Sequence, residues 1–395
     1  MEISKRIEAM QFSPIRKLVP FAEAAKKQGK KVYHLNIGQP DIETPKEFFD
    51  AVKSFDAKVL EYAFSQGIPE LIESFADYYK LFGLNYEKDE ILITNGGSEA
   101  VFFALVATCD YGDEVIVPEP FYTNYNSFSN SAGAVVVPVA TSADNGFKLP
   151  DISEFEAKIT PKTKAIMLSN PGNPTGTCYD MDDMEKIKNL AIKHDLFIIA
   201  DEVYKEMIYD GLKFTSFAQM PGIEERVILT DSISKRYSAC GARIGCIASK
   251  NKTVMQQILK LCQGRLCVAT IEQVGAAALA KVAPSYMETV VKEYEKRRNV
   301  VFEALQEMEG VTCKKPNGAF YIIADLPVKD TDEFCAWLLQ EFHVDNETVM
   351  FAPCSGFYAT EGKGKNQIRI SYVLEEQSLK KAMNILKEAL KAYKN

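Results

Sequence analysis

Histidine is scarce in this 395-residue chain: His34, His194 and His343 lie far apart, with no H-E-x-x-H pair and no G-x-S-x-G elbow. Hydrolase chemistry built on histidine has no local support. The nine cysteines are odd in number and contain no C-x-x-C pair, which excludes an obvious disulfide framework or zinc cluster and suits a reducing cytoplasm. No apolar run approaches the length that spans a bilayer. The opening MEISKRIEAMQFSP has no apolar core before a small-residue cleavage site, so no secretory signal is expected. Neither a G-x-x-x-x-G-K-[ST] loop nor a G-x-G-x-x-G fingerprint occurs. A net charge of −8 offers no general footprint for nucleic acid or anionic lipid, although a local cationic pocket stays open.

What is present is a regular alternation. The length suits one large domain with a smaller one. EILIT (90–94), EVIVPEP (114–120), AVVVPV (134–139), KAIMLSNP (164–171), LFIIADEVY (196–204), RVILTDSIS (226–234) and ARIGCIAS (242–249) read as apolar strands. Helical patterns such as GSEAVFFALVATC and MDDMEKIKNLAIKH lie between them, which predicts a mostly parallel sheet covered on both faces. Beyond residue 284 a long charged helix, the strands GAFYIIADL and NQIRISYV, and a terminal amphipathic helix with Leu379, Met383, Leu386, Leu390 and Tyr393 on one stripe predict a smaller α+β unit. The N-terminal arm is expected to pack with it.

Ligands of such sheets bind beyond the carboxyl ends of the strands. Asn95-Gly96-Gly97-Ser98, Tyr122, Asn170 to Gly176, Asp201 to Tyr204 and Ser232 to Lys235 all fall there. In 231-DSISKRYSACGARIG-245, small residues clear space around two cations, Lys235 and Arg243, and two hydroxyls; the set suits a phosphate. In 94-TNGGSEAV-101, glycines and a serine put free N–H groups at a helix start, a ready anion site. Locally, 170-NPGNPTG-176 reads equally as a tight turn or as a device that fixes the Asn173 side chain before Pro174. Asp201 closes an apolar run where a carboxylate needs a cation or donors, unless it merely caps the next segment.

Together with 36-NIGQPD-41, 62-YAFSQGIPEL-71, 172-GNPTG-176 and 369-RISY-372, these segments resemble the class I, fold type I aminotransferases that use pyridoxal 5′-phosphate. The resemblance runs along nearly the whole chain. It implies an α/β fold: a large cofactor domain (46–283) with a mostly parallel, seven-stranded sheet and helices on both faces. A smaller α+β domain (284–395) would join the N-terminal arm (1–45).

Residue by residue, the resemblance implies that Lys235 carries the cofactor and moves the proton of the substrate Cα. Arg243, Ser232, Ser98 and the Gly96-Gly97 backbone would hold the phosphate. Asp201 would keep the ring nitrogen protonated. Asn173 and Tyr204 would bind the phenolic oxygen, and Tyr122, where many relatives have tryptophan, would stack on the ring. Arg369 would grip the α-carboxylate, with Ile37 and Gly38 closing over it. Tyr62 would reach the phosphate from a neighbouring subunit, which makes a homodimer part of the site.

Within 264-GRLCVATIEQ-273, Arg265 stands where aspartate-specific relatives place an arginine from the partner subunit; an exposed helix-end arginine is the alternative. The expected reaction is ping-pong transfer of an amino group from an L-amino acid, aspartate foremost, to a 2-oxo acid such as 2-oxoglutarate. Aromatic or neutral amino acids, a C–S β-lyase sharing the cofactor residues, and a non-catalytic phosphate or nucleotide binder are the competing readings. No metal, nucleic acid or membrane is expected as a partner.

Overall fold

The computed structural model describes residues 1–8 and 10–394. Its centre is a seven-stranded sheet in the order Ile91–Asn95, Ile244–Ala248, Val227–Ser232, Phe197–Asp201, Thr163–Ser169, Glu114–Glu119, Val135–Ala140. All neighbours pair in parallel except Ile244–Ala248, which runs antiparallel to the strands on both its sides.

Alternate residues of each strand enter different cores. Val115, Val117, Met167, Ile199 and Ile228 pack under the helices Gly96–Thr108 and Lys252–Arg265. Ile116, Ile166, Leu168, Ile198 and Val227 pack under Met181–His194 on the opposite face. Burial on two faces explains why these strands are continuous apolar runs rather than alternating ones. Met181–His194 starts where Asp180 accepts a hydrogen bond from the Asp183 N–H and ends at Asp195, whose φ is +55°.

The register brings the predicted strand ends into one rim. Ser169 lies opposite Asp201, Asp201 opposite Thr230, and Ser232 opposite Gly245. The antiparallel strand matters here: its amino end, preceded by Arg243, meets the carboxyl ends of its neighbours. Arg243 thus joins the rim from the start of a strand.

The second sheet is small and antiparallel, in the order Ala352–Pro353, Gln367–Ser371, Tyr321–Asp325. It shares an apolar core with the helices Ser285–Gln306, Thr331–Gln340 and Glu376–Ala392. Strand Lys31–His34 pairs in parallel with Glu347–Met350, which ties the N-terminal arm to the C-terminal part. The terminal helix stops at Ala392, one residue short of the predicted stripe. Tyr393 still packs, with its ring centroid 5.0 Å from those of Phe334 and Trp337. Gly176 ties this part to the central sheet. Its φ is +68°, its carbonyl accepts from the Asn317 and Gly318 N–H groups, and a Cβ there would lie 2.5 Å from Pro316 Cβ. The glycine that ends 172-GNPTG-176 therefore does more than close a turn.

Candidate active site

Residues from the central sheet, the small antiparallel sheet and the N-terminal arm line one cavity of about 520 Å³. Its wall includes Ile37, Gly38, Gly97, Ser98, Tyr122, Asn173, Asp201, Tyr204, Ser232, Lys235, Arg243 and Arg369. Twelve of the residues singled out from sequence are therefore brought to one place from separate parts of the chain. Gly96 lies directly behind Gly97 at the same helix start.

Lys235 sits on a short helix, Ile233–Arg236, opened by Ser232, whose Oγ accepts from the Ser234 N–H. The Lys235 ammonium donates to the Gly38 carbonyl at 2.8 Å and lies 3.7 Å from Cys240 Sγ. Behind it, Asp231 is fully buried between Lys205 and Arg236, the latter at 2.9 Å. Burial pushes the Asp231 carboxyl up, but Arg236 and Lys205 more than offset this and hold it below its ordinary range. The lysine-bearing turn is anchored from below by that ion cluster.

At the anion end, helix Gly96–Thr108 points its first turn at the cavity, with Ser98 inside that turn. Arg243 leans across it, within hydrogen-bond reach of the Cys240 carbonyl (3.0 Å) and the Asn95 carbonyl (3.4 Å). No carboxylate pairs with Arg243 among the described residues. Gly96 has a φ of +75°, and a Cβ there would sit 2.4 Å from Arg243 Nη2. A glycine is needed for the guanidinium to reach this position.

On the floor, burial pushes the Asp201 carboxyl up to about 6. Tyr125 Oη donates to it at 2.7 Å, which works in the opposite direction. Above the floor stands Tyr122, half-buried, its hydroxyl accepting from Asn124 Nδ2 at 2.9 Å; burial pushes its phenol up to about 12. Tyr204 and Tyr321 share a hydrogen bond of 2.7 Å between their hydroxyls.

Arg369 comes from the small sheet. It is 1% exposed and stacked between Tyr321 and Phe357, 4.5 and 4.9 Å from their ring centroids. Its Nη1 donates to Asn173 Oδ1 at 3.0 Å and its Nη2 to the Asn36 carbonyl, while Nε has no partner. Among the described residues no acid neutralises it. A buried guanidinium without a counter-ion is costly, so the cavity is built to receive an anion at this point.

Besides Gly96, two singled-out residues are not in the wall of this chain's cavity. Tyr62 is 81% exposed. Arg265 is fastened elsewhere: Nη2 reaches the Ser65 and Ile93 carbonyls at 3.3 and 3.2 Å, and Nη1 lies 3.6 Å from Glu99 Oε2. Conversely, sequence reasoning missed Tyr125, Tyr321, Cys240 and Arg16, which is also in the wall. Tyr125 was findable: it follows Tyr122 by three residues at the start of the next helix, Asn124–Ala132. Nothing local marks Tyr321 or Arg16, which reach the cavity only through tertiary packing.

These residues fit a phosphorylated pyridine cofactor: an anion cradle closed to any residue with a Cβ at position 96, and a buried acid at the opposite end. Residues 30–386 match the model of the family "Aminotransferase class I and II". Aspartate aminotransferase of Pyrococcus abyssi is 34% identical, with all of both chains covered. Aromatic-amino-acid aminotransferase 2 of Thermococcus litoralis is 33% identical, again with all of both chains covered. The crystal structure of aspartate aminotransferase from Thermotoga maritima superposes with a TM-score of 0.90 at 30% identity, covering 98% of this chain and 100% of that one. With the family matched along nearly its whole length, the chain belongs to the class I and II aminotransferases and is a pyridoxal 5′-phosphate-dependent transaminase.

Proposed function

We propose that this transaminase takes its amino group from L-aspartate and passes it to 2-oxoglutarate by a ping-pong route. The observation that carries the substrate side is Arg369, buried and without an acid, which receives the α-carboxylate in the fork geometry that lysine lacks. Bound pyridoxal 5′-phosphate supplies an electron sink for the pair left when the substrate loses its Cα proton. Lys235 would take that proton on Nζ and hold it for return, with the Gly38 carbonyl fixing the ammonium meanwhile. Asp201 opposes the protonated ring nitrogen. Because Asn173 Oδ1 is held by Arg369, its Nδ2 is left to donate to the phenolic oxygen beside Tyr204. Gly96, Gly97, Ser98, Ser232 and Arg243 hold the phosphate. Tyr122 covers the ring, and Ile37 and Gly38 close over the substrate.

The active molecule in this reading is a homodimer. Val59, Leu60, Tyr62 and Phe64 are 60–81% exposed, an apolar stretch that suits a second copy. Across that dimer Tyr62 would reach the phosphate and Arg265 the pocket of the other copy. The large domain spans 46–283 and the small one 1–45 with 284–395, in keeping with the separate sheets. Nine unpaired cysteines favour a reducing cytoplasm; among the described residues no helix is long and apolar enough to cross a membrane. Comparing kcat/KM for L-aspartate and L-phenylalanine tests the substrate: a clear preference for phenylalanine moves it to the aromatic class.

A further inference from the structure

Arg16 stands in the cavity wall on the N-terminal arm, beside Ser13 and Ile15. Its backbone is held in place. The Arg16 N–H donates to the Ser13 carbonyl at 3.1 Å, Asn36 Nδ2 donates to the Ile15 carbonyl at 3.1 Å, and Pro14 is buried against Gly356. Its neighbour Lys17 is paired with Asp332. The Arg16 guanidinium itself has no hydrogen bond, ion pair or ring contact among the described residues. It is an unengaged cation on a fixed turn at the edge of the substrate space.

The other cations of the wall already have tasks. Arg369 is locked onto Asn173 and Asn36, Arg243 leans on the helix start, and Lys235 is on Gly38. Arg265 is outside the cavity of its own chain. We propose that Arg16 reads the distal carboxylate of a dicarboxylic substrate, and so sets the preference for aspartate and 2-oxoglutarate over monocarboxylic partners. This rests on the dicarboxylate reading above. Exposed before binding, Arg16 keeps its hydration at little cost. Once a substrate displaces water from the cavity, the pair gains strength and the fork binds both carboxylate oxygens.

The test uses the cofactor-loaded enzyme with Arg16→Gln and Arg16→Lys, and Arg265→Gln alongside. Two unreactive probes, maleate and propionate, are titrated calorimetrically, and single-turnover rates are measured with L-aspartate and L-alanine. Arg16→Gln should weaken maleate relative to propionate by roughly tenfold or more, as expected for a hydrogen bond to a charged group. It should lower the aspartate-to-alanine ratio similarly, Arg16→Lys less so. Equal losses on both probes, or no loss on either, overturn the inference. If Arg265→Gln alone shifts the maleate-to-propionate ratio, Arg16 is also ruled out while the dicarboxylate reading survives. A parent enzyme that does not prefer maleate to propionate removes that reading and this inference together.

Discussion

Tyr125 donates its hydroxyl to Asp201 at 2.7 Å from the helix that follows Tyr122, placing a proton donor on the acid of the cavity floor. This bond favours the ionised carboxylate, the form that opposes a protonated ring. Tyr125→Phe should weaken cofactor binding by about 1.5–3 kcal/mol, the range for a hydrogen bond to a charged group. Fluorescence titration of the cofactor-free protein measures this, and an unchanged dissociation constant contradicts it.

The same acid gives a pH signature. Burial pushes Asp201 up to about 6 and its neighbour Glu202 up to about 7, against about 4 for both in an unfolded chain. Between those values the folded state binds more protons than the unfolded one. Stability of the cofactor-free protein should therefore fall as pH rises from about 4 to about 7 on account of these two groups. Asp201→Asn and Glu202→Gln should each flatten that slope in denaturant titrations. Cofactor loading should remove the Asp201 part, since the ring cation gives the carboxylate a partner.

Arg369→Gln leaves the α-carboxylate without its fork. A loss of about 2–5 kcal/mol follows from truncating one member of a buried charged pair, or roughly thirtyfold to a few thousandfold in kcat/KM. Cofactor content should stay near that of the parent. Equal loss of cofactor would assign Arg369 to the wrong ligand.

Gly96→Ala tests the phosphate cradle. The new methyl would meet Arg243 Nη2 at 2.4 Å on a residue with φ of +75°. We expect cofactor affinity to fall at least tenfold while thermal stability drops by about 1–3 kcal/mol, the cost of a strained backbone position. Unchanged affinity would mean that Arg243 does not need its observed position.

Asp231→Asn strands Lys205 and Arg236, both buried, beneath the catalytic turn. Loss of about 3–5 kcal/mol is expected for breaking a buried charge group, read by denaturant unfolding of the cofactor-free protein.

Much of this was legible in the sequence because the relevant physics is local. Strands buried on both faces must be apolar throughout, and Phe197–Asp201 ends in a carboxylate because the chain leaves the sheet at the ligand rim. Strand direction was not legible: ARIGCIAS reads as one more strand, and only its antiparallel pairing explains how Arg243 reaches the rim. Tyr321 belongs to a second sheet, and its stacking on Arg369 depends on register, two residues from the position opposite the arginine. Arg16 sits on an arm whose placement is set by contacts far along the chain, such as Pro14 on Gly356. Pairing partners at that separation leave no periodic trace.

The most direct measurement is the visible absorption spectrum of the cofactor-loaded protein through one full cycle, with Lys235→Ala in parallel. The account predicts that L-aspartate discharges the parent's long-wavelength band, that 2-oxoglutarate restores it, and that borohydride before substrate fixes the cofactor mass on Lys235. In Lys235→Ala the fold should persist and the cycle should not run. A parent band unmoved by any amino acid, or a Lys235→Ala variant that cycles at the parent rate, would contradict it.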